Sequence, residues 1–432
     1  MKSFKNIISV ILAVTIFVGV CLSLSSCILI IPDVHDRVPG SETPDNGGSR
    51  VEPDSSLGEG NGAGADSGLD FIDNGCADTD YSNLTPESRG LLACVRIVSG
   101  FQRYVGYGQS TLSTYKKEGS GVIISVDRED GDAYILTNFH VVYHKEAISQ
   151  NHISNNIGLY LYGQESDSYR IEASFVGGSL THDLAVLKVE NSEVIKHSHA
   201  QAALPASSEN IAVGDGVFAV GNPEGFGISL TEGTVNVTDE TLEILGADGK
   251  TTLNLRVVRI SAAINEGNSG GGLYDDSGRL IGIVCAKRTG DDVDNLAYAI
   301  PINQAMGIAR IIIEDCDGSS TGFMKYQLGV TMDAGAMGVV VDEQTGKIVK
   351  VEKVTVSSLL QNSPLVGLVG VGDVITSITV DGVTTEVSRI HHVTDSMLAA
   401  RDGSTVTLSL VRDGISFSRS VTMNADMLVS VP

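Results

Sequence analysis

AINEGNSGGGL, residues 263–273, sets a single hydroxyl, that of Ser269, between Gly267 and a run of glycines at 270–272. Glycine tolerates backbone conformations that side chains forbid, so the stretch predicts a tight turn in which backbone N–H groups converge beside that hydroxyl. On both sides of it, short β-type runs recur between glycine-containing turns. They are ACVRIV (93–98), SGVIISV (120–126), AYILTNFHVV (133–142), LAVLKVE (184–190), GVFAVGN (216–222), VVRISAAI (257–264) and RLIGIVCAK (279–287). Many short strands at this spacing imply a mainly β sandwich or barrel. One helix is expected at about 303–314, where Met306, Ala309, Ile312 and Ile313 recur on one side and Asn303 serves as N-cap.

The chain has 432 residues, too many for one small module. Hydrophobic residues make up 42% and charged residues 19%, a balance that excludes wholesale disorder and can bury a sizeable core. Lys and Arg total 29 against 53 Asp and Glu, a net charge of -24, so the surface repels phosphate backbones and nucleic acid is not an expected partner. Of six cysteines none forms a C-x-x-C pair, which argues against a zinc ribbon, an iron–sulfur centre or a thioredoxin motif. Cys76 and Cys94 are candidates for a bridge in an exported protein, with connectivity left open; Cys285 reads as a buried core residue and Cys316 has no evident mate.

Lys2 and Lys5 precede an apolar run at 7–24, followed by Leu24-Ser25-Ser26-Cys27 and an abrupt loss of hydrophobicity. This reads as an export signal. Leu-Ser-Ser-Cys resembles a bacterial lipobox, in which removal of residues 1–26 leaves Cys27 as the lipidated first residue. An uncleaved anchor is the alternative, since a run of about 18 to 20 apolar residues spans a bilayer. Either way the body is expected outside the cytoplasm, tethered to a bacterial cell membrane at the cell surface or in the periplasm. Residues 27–81 form a flexible acidic Gly/Ser/Pro linker, whose coil reach of about 40 Å lifts the body clear of the membrane.

Three segments stand in the order His, Asp, Ser: TNFHVV contains His140, THDLAVLKV contains Asp183 and EGNSGGGL contains Ser269. A serine hydroxyl is a poor nucleophile at neutral pH and needs an imidazole to remove its proton. That imidazole in turn needs a buried carboxylate to hold its tautomer. His140 and His144, four apart, suggest metal binding as a rival chemistry. No H-E-x-x-H arrangement is present, however, and the preceding YILT is β-type, so neither a metal nor an organic cofactor is expected. His391 and His392 lie in a polar helical stretch and read as surface residues.

TNFHVV (137–142), HDLAVLKV (182–189), VGNPEG (220–225), AINEGNSGGGL (263–273) and LAYAIPIN (296–303) closely resemble the signature segments of the high-temperature-requirement (HtrA, or Deg) family of trypsin-like serine proteases. The resemblance implies a chymotrypsin-like pair of perpendicular six-stranded β-barrels over 82–318, with Asp183 facing the cleft from one barrel and Ser269 from the other. It makes Ser269 the nucleophile, His140 the general base and then acid, and Asp183 the orienting carboxylate. The oxyanion hole falls to the backbone of Gly267 and Ser269, with Asn268 shaping the turn between them. Ala263 and Ile264 fall where the family lines its primary specificity pocket, implying a small apolar pocket. Glu266, Gly272 and Ser261 depart from the family's usual proline, proline and aspartate, which puts the rigidity of the oxyanion loop in question.

Residues 322–428, through QLGV, GVGDVITSI (370–378) and GSTVTLSLVRDG, resemble a PDZ domain. Such domains bind an extended peptide along a sheet edge and hold its terminal carboxylate on backbone N–H groups. Leu328, Gly329 and Val330 match that carboxylate loop, and a helix near 388–399 the groove's other wall. The expected activity is serine endopeptidase cleavage of unfolded or damaged polypeptides, with peptide C-termini captured by the PDZ domain. The family also implies a homotrimer. A holdase with little cleavage and a narrow regulatory protease are the alternatives.

Overall fold

A computed structural model describes residues 81–106, 111–290, 293–343 and 345–432, the side chains of 286–290 and 293–295 excepted. The expected signal, the lipidated Cys27, Cys76 and all but the last residue of the expected linker lie outside the described residues. That last residue, Tyr81, belongs to the body instead: its hydroxyl meets His199 Nδ1 at 2.9 Å and accepts from Arg128 at 2.5 Å. Among the described residues no helix is long and apolar enough to cross a membrane.

A capped turn of helix, α1 (Pro86–Leu92), leads into the first barrel, whose strands are β1 (Cys94–Val105), β2 (Thr111–Asp127), β3 (Asp132–Thr137), β4 (Asn156–Leu161), β5 (Ile171–Ser179) and β6 (Leu184–Val189). They close in the order β1-β2-β3-β6-β5-β4, every neighbour antiparallel. Strand alternation turns Val95, Ile97, Ile123, Ile135, Leu159 and Leu187 into the interior. Two short helices, α2 (Phe139–Val142) and α3 (Glu193–Lys196), interrupt the connections.

The second barrel repeats the plan with β7 (Gly216–Gly221), β8 (Ser229–Leu245), β9 (Thr252–Ile260), β10 (Gly272–Asp275), β11 (Leu280–Gly290) and β12 (Val293–Pro301), closed as β10-β11-β12-β9-β8-β7. The fold class is therefore the expected double β-barrel. A separate apolar cluster joins the barrels: Leu136 and Val186 from the first meet Phe218, Tyr274 and Ile283 from the second, with the Phe218 and Tyr274 rings stacked at 5.3 Å. The helix α4 (Ile302–Asp315) lays Ala305, Ile308, Ala309 and Ile312 onto this cluster, an i, i+3, i+4, i+7 stripe. Met306 and Ile313, expected on the buried side, only flank it. Asn303 is not the cap: Pro301 holds that position, and Asn303 Oδ1 accepts from Ser208 N instead.

The remaining chain builds a third core of its own. β13 (Phe323–Tyr326) pairs with a final strand, while β14 (Val330–Val341), β15 (Ile348–Leu359), β16 (Val374–Val380), β17 (Val383–Glu386), β18 (Thr405–Arg412) and β19 (Ile415–Thr422) form one sheet. In it β14 is an edge strand, and the closing β20 (Leu428–Val431) lies beside β13. The helix α5 (Ile390–Met397) packs Val393 and Met397 against Leu328, Ile375 and Leu408. This C-terminal domain is held to the second barrel by ion pairs, among them Arg256–Asp395 at 2.5 Å, Lys347–Asp215 at 2.8 Å and Arg389–Asp239. His391 and His392 lie in this interface, their side chains only 11% and 13% exposed. The expectation that they are surface residues fails because α5 docks that polar face onto the second barrel.

Candidate active site

The run AYILTNFHVV does not continue as a strand. β3 stops at Thr137, Asn138 is extended and Phe139–Val142 makes one helical turn. Phe139, Val141 and Val142 are buried in the first barrel, and the turn leaves His140 on the open side, 26% exposed. Asp183 ends the β5–β6 connection at φ 51°, a left-handed conformation that Asp tolerates better than most residues. Its carboxylate is buried and bound twice by one residue: Oδ1 accepts from the His140 backbone N–H at 3.0 Å, and Oδ2 meets His140 Nδ1 at 2.8 Å. Asn138 Nδ2 donates to the Asp183 carbonyl at 2.8 Å, fixing the strained turn from behind. With a carboxylate on Nδ1, the lone pair of the neutral ring is directed to Nε2.

Ser269 comes from the second barrel, in the turn before β10. Asn268 N donates to Asn265 O at 3.2 Å with Gly267 at φ 94°, the hydrogen bond and positive third-residue φ of a type II turn. The Glu266 carbonyl accepts from Glu224 N at 2.6 Å, so the opposed N–H of the same trans peptide, that of Gly267, points the other way. A Cβ on Gly267 would stand 2.1 Å from Asn222 O, and one on Gly270 2.1 Å from Ser120 O; neither site admits a side chain.

His140 and Ser269 border one cleft of about 500 Å³, together with Tyr115, Lys117, Glu118, Glu224, Glu266 and Gly267. Among the described residues no hydrogen bond joins the Ser269 hydroxyl to the His140 ring. Contacts of this type are often long before substrate binds. Lys117 Nζ donates to the His140 carbonyl, and burial pulls the ammonium below its ordinary range against the pull of Asp183 and Glu266. Glu118 is locked by Arg96 at 3.0 and 3.1 Å.

Ser120, which sequence reading passed over, ties the site together. Its Oγ donates to Gly267 O at 2.6 Å and accepts from Asn222 N at 2.8 Å, while its N–H donates to Ser269 O at 2.9 Å. Its own carbonyl accepts from Thr137 Oγ1 at 2.6 Å. The one available signal was a hydroxyl residue opening the otherwise apolar GVII. The expected pocket residues are not brought to the cleft: Ala263 is exposed, and Ile264 is buried with Val258 and Ile260 in the core of the second barrel. Ile264 lies in the turn segment between β9 and β10, where its apolar side chain packs inward and fills the barrel rather than a pocket. His144 packs between Phe101 and Tyr115, 5.6 and 4.9 Å away, and burial lowers its pKa. Cys94 and Cys285 are free and buried, and Cys316 is free and half-buried.

In the C-terminal domain, Leu328, Gly329 and Val330 line a second groove of about 230 Å³ with Ile375, Val393 and Met397. The carbonyl of Leu328 accepts from Ser363 Oγ at 2.6 Å and that of Gly329 from Leu360 N at 2.8 Å.

The trypsin-like peptidase domain family matches residues 119–283. Serine protease Do-like HtrA of Bacillus subtilis is 35% identical over 206 residues, covering 47% of this chain and 41% of that protein. Periplasmic serine endoprotease DegP of Escherichia coli is 30% identical over 315 residues, 72% of this chain and 57% of that protein. The chain thus spans about half the length of the curated relatives it matches. A solved structure described as HtrA-type protease AlgW with decapeptide is 24% identical and covers 80% of this chain and 98% of that one, with a TM-score of 0.49.

Proposed function

Because the chain belongs to the HtrA/Deg family of trypsin-like serine proteases, we propose that it is a serine endopeptidase acting outside the cytoplasm on unfolded or damaged polypeptides. The observation that carries this reading is the Asp183–His140 pair, held at 2.8 Å on the rim of the cleft that Ser269 borders from the opposite barrel. In the proposed cycle, His140 Nε2 takes the Ser269 proton as the hydroxyl oxygen attacks the scissile carbonyl, and Asp183 stabilises the imidazolium that forms. The oxyanion meets the N–H groups of Gly267 and Ser269, with Asn268 in the turn between them. His140 then protonates the leaving amine, and water releases the acyl group from Ser269 by the reverse route. No metal or organic cofactor enters.

The C-terminal domain is proposed to act as a PDZ domain. The edge strand β14 can accept an added peptide strand, with the backbone of Leu328, Gly329 and Val330 receiving the terminal carboxylate. A lipid anchor at Cys27, a linker running from there to residue 80 and a homotrimer complete the proposal. Digestion of reduced casein by the chain and by Ser269→Ala tests it. Cleavage by the first and none by the second is expected. Equal cleavage by both refutes the assignment, and suppression of aggregation without cleavage by either would make the protein a holdase.

A further inference from the structure

We propose that Glu209, His391 and His392 bind one divalent transition-metal ion of the zinc type, which ties α5 of the C-terminal domain to the second barrel. The two imidazoles are neighbours on α5, and Glu209 lies about 180 residues earlier, in the helical turn Ser208–Asn210 ahead of β7. His391 Nε2 and His392 Nε2 converge on the same carboxylate oxygen, Glu209 Oε2, at 2.9 and 3.0 Å. All three ligand atoms lie within 4.8 Å of one another. A tetrahedral zinc ion with bonds of about 2.0–2.2 Å needs its ligand atoms about 3.3 Å apart, so the carboxylate and rings need part by only a few tenths of an ångström.

The surroundings suit metal ligation as well. An imidazole binds through Nε2 only if Nδ1 carries the ring proton, which requires an acceptor facing Nδ1. His392 Nδ1 faces both the Glu386 carbonyl at 3.0 Å and the longer Ser388 backbone N–H at 3.2 Å, so ligation through Nε2 places the ring proton on the Glu386 bond and gives up the Ser388 contact. His391 Nδ1 lies 3.8 Å from Asp239 Oδ1, an oxygen that is buried with no hydrogen-bond partner. The other Glu209 oxygen faces Arg256 at 3.8 Å, which holds the carboxylate with Oε2 towards the rings. Four carboxylates gather here (Glu209, Asp239, Glu352 and Asp395) against Arg256, Arg389 and the rim residue Lys350, an excess of one negative charge when the imidazoles are neutral. An adjoining cavity of about 100 Å³ has room for a water molecule as fourth ligand. Two nitrogens and one oxygen favour zinc and its neighbours over magnesium or calcium, which take oxygen ligands. The site is independent of the peptidase reading, and its test does not read cleavage.

The full chain, freed of metal, is titrated with ZnCl₂ by calorimetry and with CoCl₂ by absorption. One ion per chain is expected, with the intense visible bands of four-coordinate cobalt. His392→Ala and Glu209→Gln should each weaken binding roughly tenfold or more, whereas His140→Ala should leave it unchanged. Failure to bind zinc at about 100 µM overturns the proposal, as does binding retained in the His391→Ala/His392→Ala double variant. Should the variants not fold, the cobalt spectrum of the unaltered chain still decides: weak octahedral bands overturn the site.

Discussion

Ser120 touches no reacting atom in the proposed cycle, yet it couples the two barrels at the nucleophile turn. Ser120→Ala would remove the partner of Gly267 O and of Asn222 N at once, which costs about 1–3 kcal/mol for buried groups left unpaired. We expect a lower melting temperature and a fall in kcat of about tenfold or more with KM little changed, read by steady-state cleavage of a short peptide. An unchanged kcat would show that the type II turn holds itself. At Gly267 both the positive φ and the 2.1 Å approach to Asn222 O exclude a side chain. Gly267→Ala is therefore expected to turn the 266–267 peptide and withdraw one oxyanion donor, lowering kcat about 10²–10³-fold. Circular dichroism should show the barrels still folded.

Among the elements, the turn that feeds β16 shows how a short motif becomes a stabilising device. Asp373 is almost fully buried, accepts from Gly370 N at 2.8 Å and is gripped by Arg412 from β18 at 2.6 and 2.7 Å. The Arg412 hydrogen bonds hold its carboxyl below the ordinary range despite desolvation. A carboxylate with a lowered folded pKa contributes stability above its unfolded value, near 3.9, and loses it as pH falls through the folded one. Arg412→Ala raises the folded value, so the C-terminal domain of the variant should begin to unfold at a higher pH than the parent. Calorimetric scans between about pH 3 and 6 would show this, and coincident acid transitions would refute it. GVGDVITSI was legible as a turn and strand because glycines and alternation are local signals. The partner on β18, 39 residues on, was not. Likewise Asn138 ends β3 through a bond to Asp183, 45 residues away, which no pattern in TNFHVV discloses.

For the molecule as a whole, the consequential contact is between the second barrel and the C-terminal domain. Arg256 sits between Asp395 and Glu209 there, and Asp395 is mostly buried, its carboxyl pushed upward by desolvation against the pull of Arg256. Arg256→Ala strands that carboxylate, so the domain should dock less firmly while the barrels persist. Faster hydrogen exchange in α5, with β1–β6 unchanged, is the expected result; protection unaltered in α5 would show that the remaining ion pairs suffice. The mainly β class, the glycine turn around Ser269 and the short segments that carry His140, Asp183 and Ser269 were readable in the chain, because strand alternation and glycine's conformational freedom act within a few neighbouring residues. The placement of Ile264 in a core, the role of Ser120, the anchoring of Tyr81 and the meeting of His391 and His392 with Glu209 were not. Those depend on how barrels and domain pack, and packing joins residues 100 to 180 positions apart that carry no mark of one another in their local sequence.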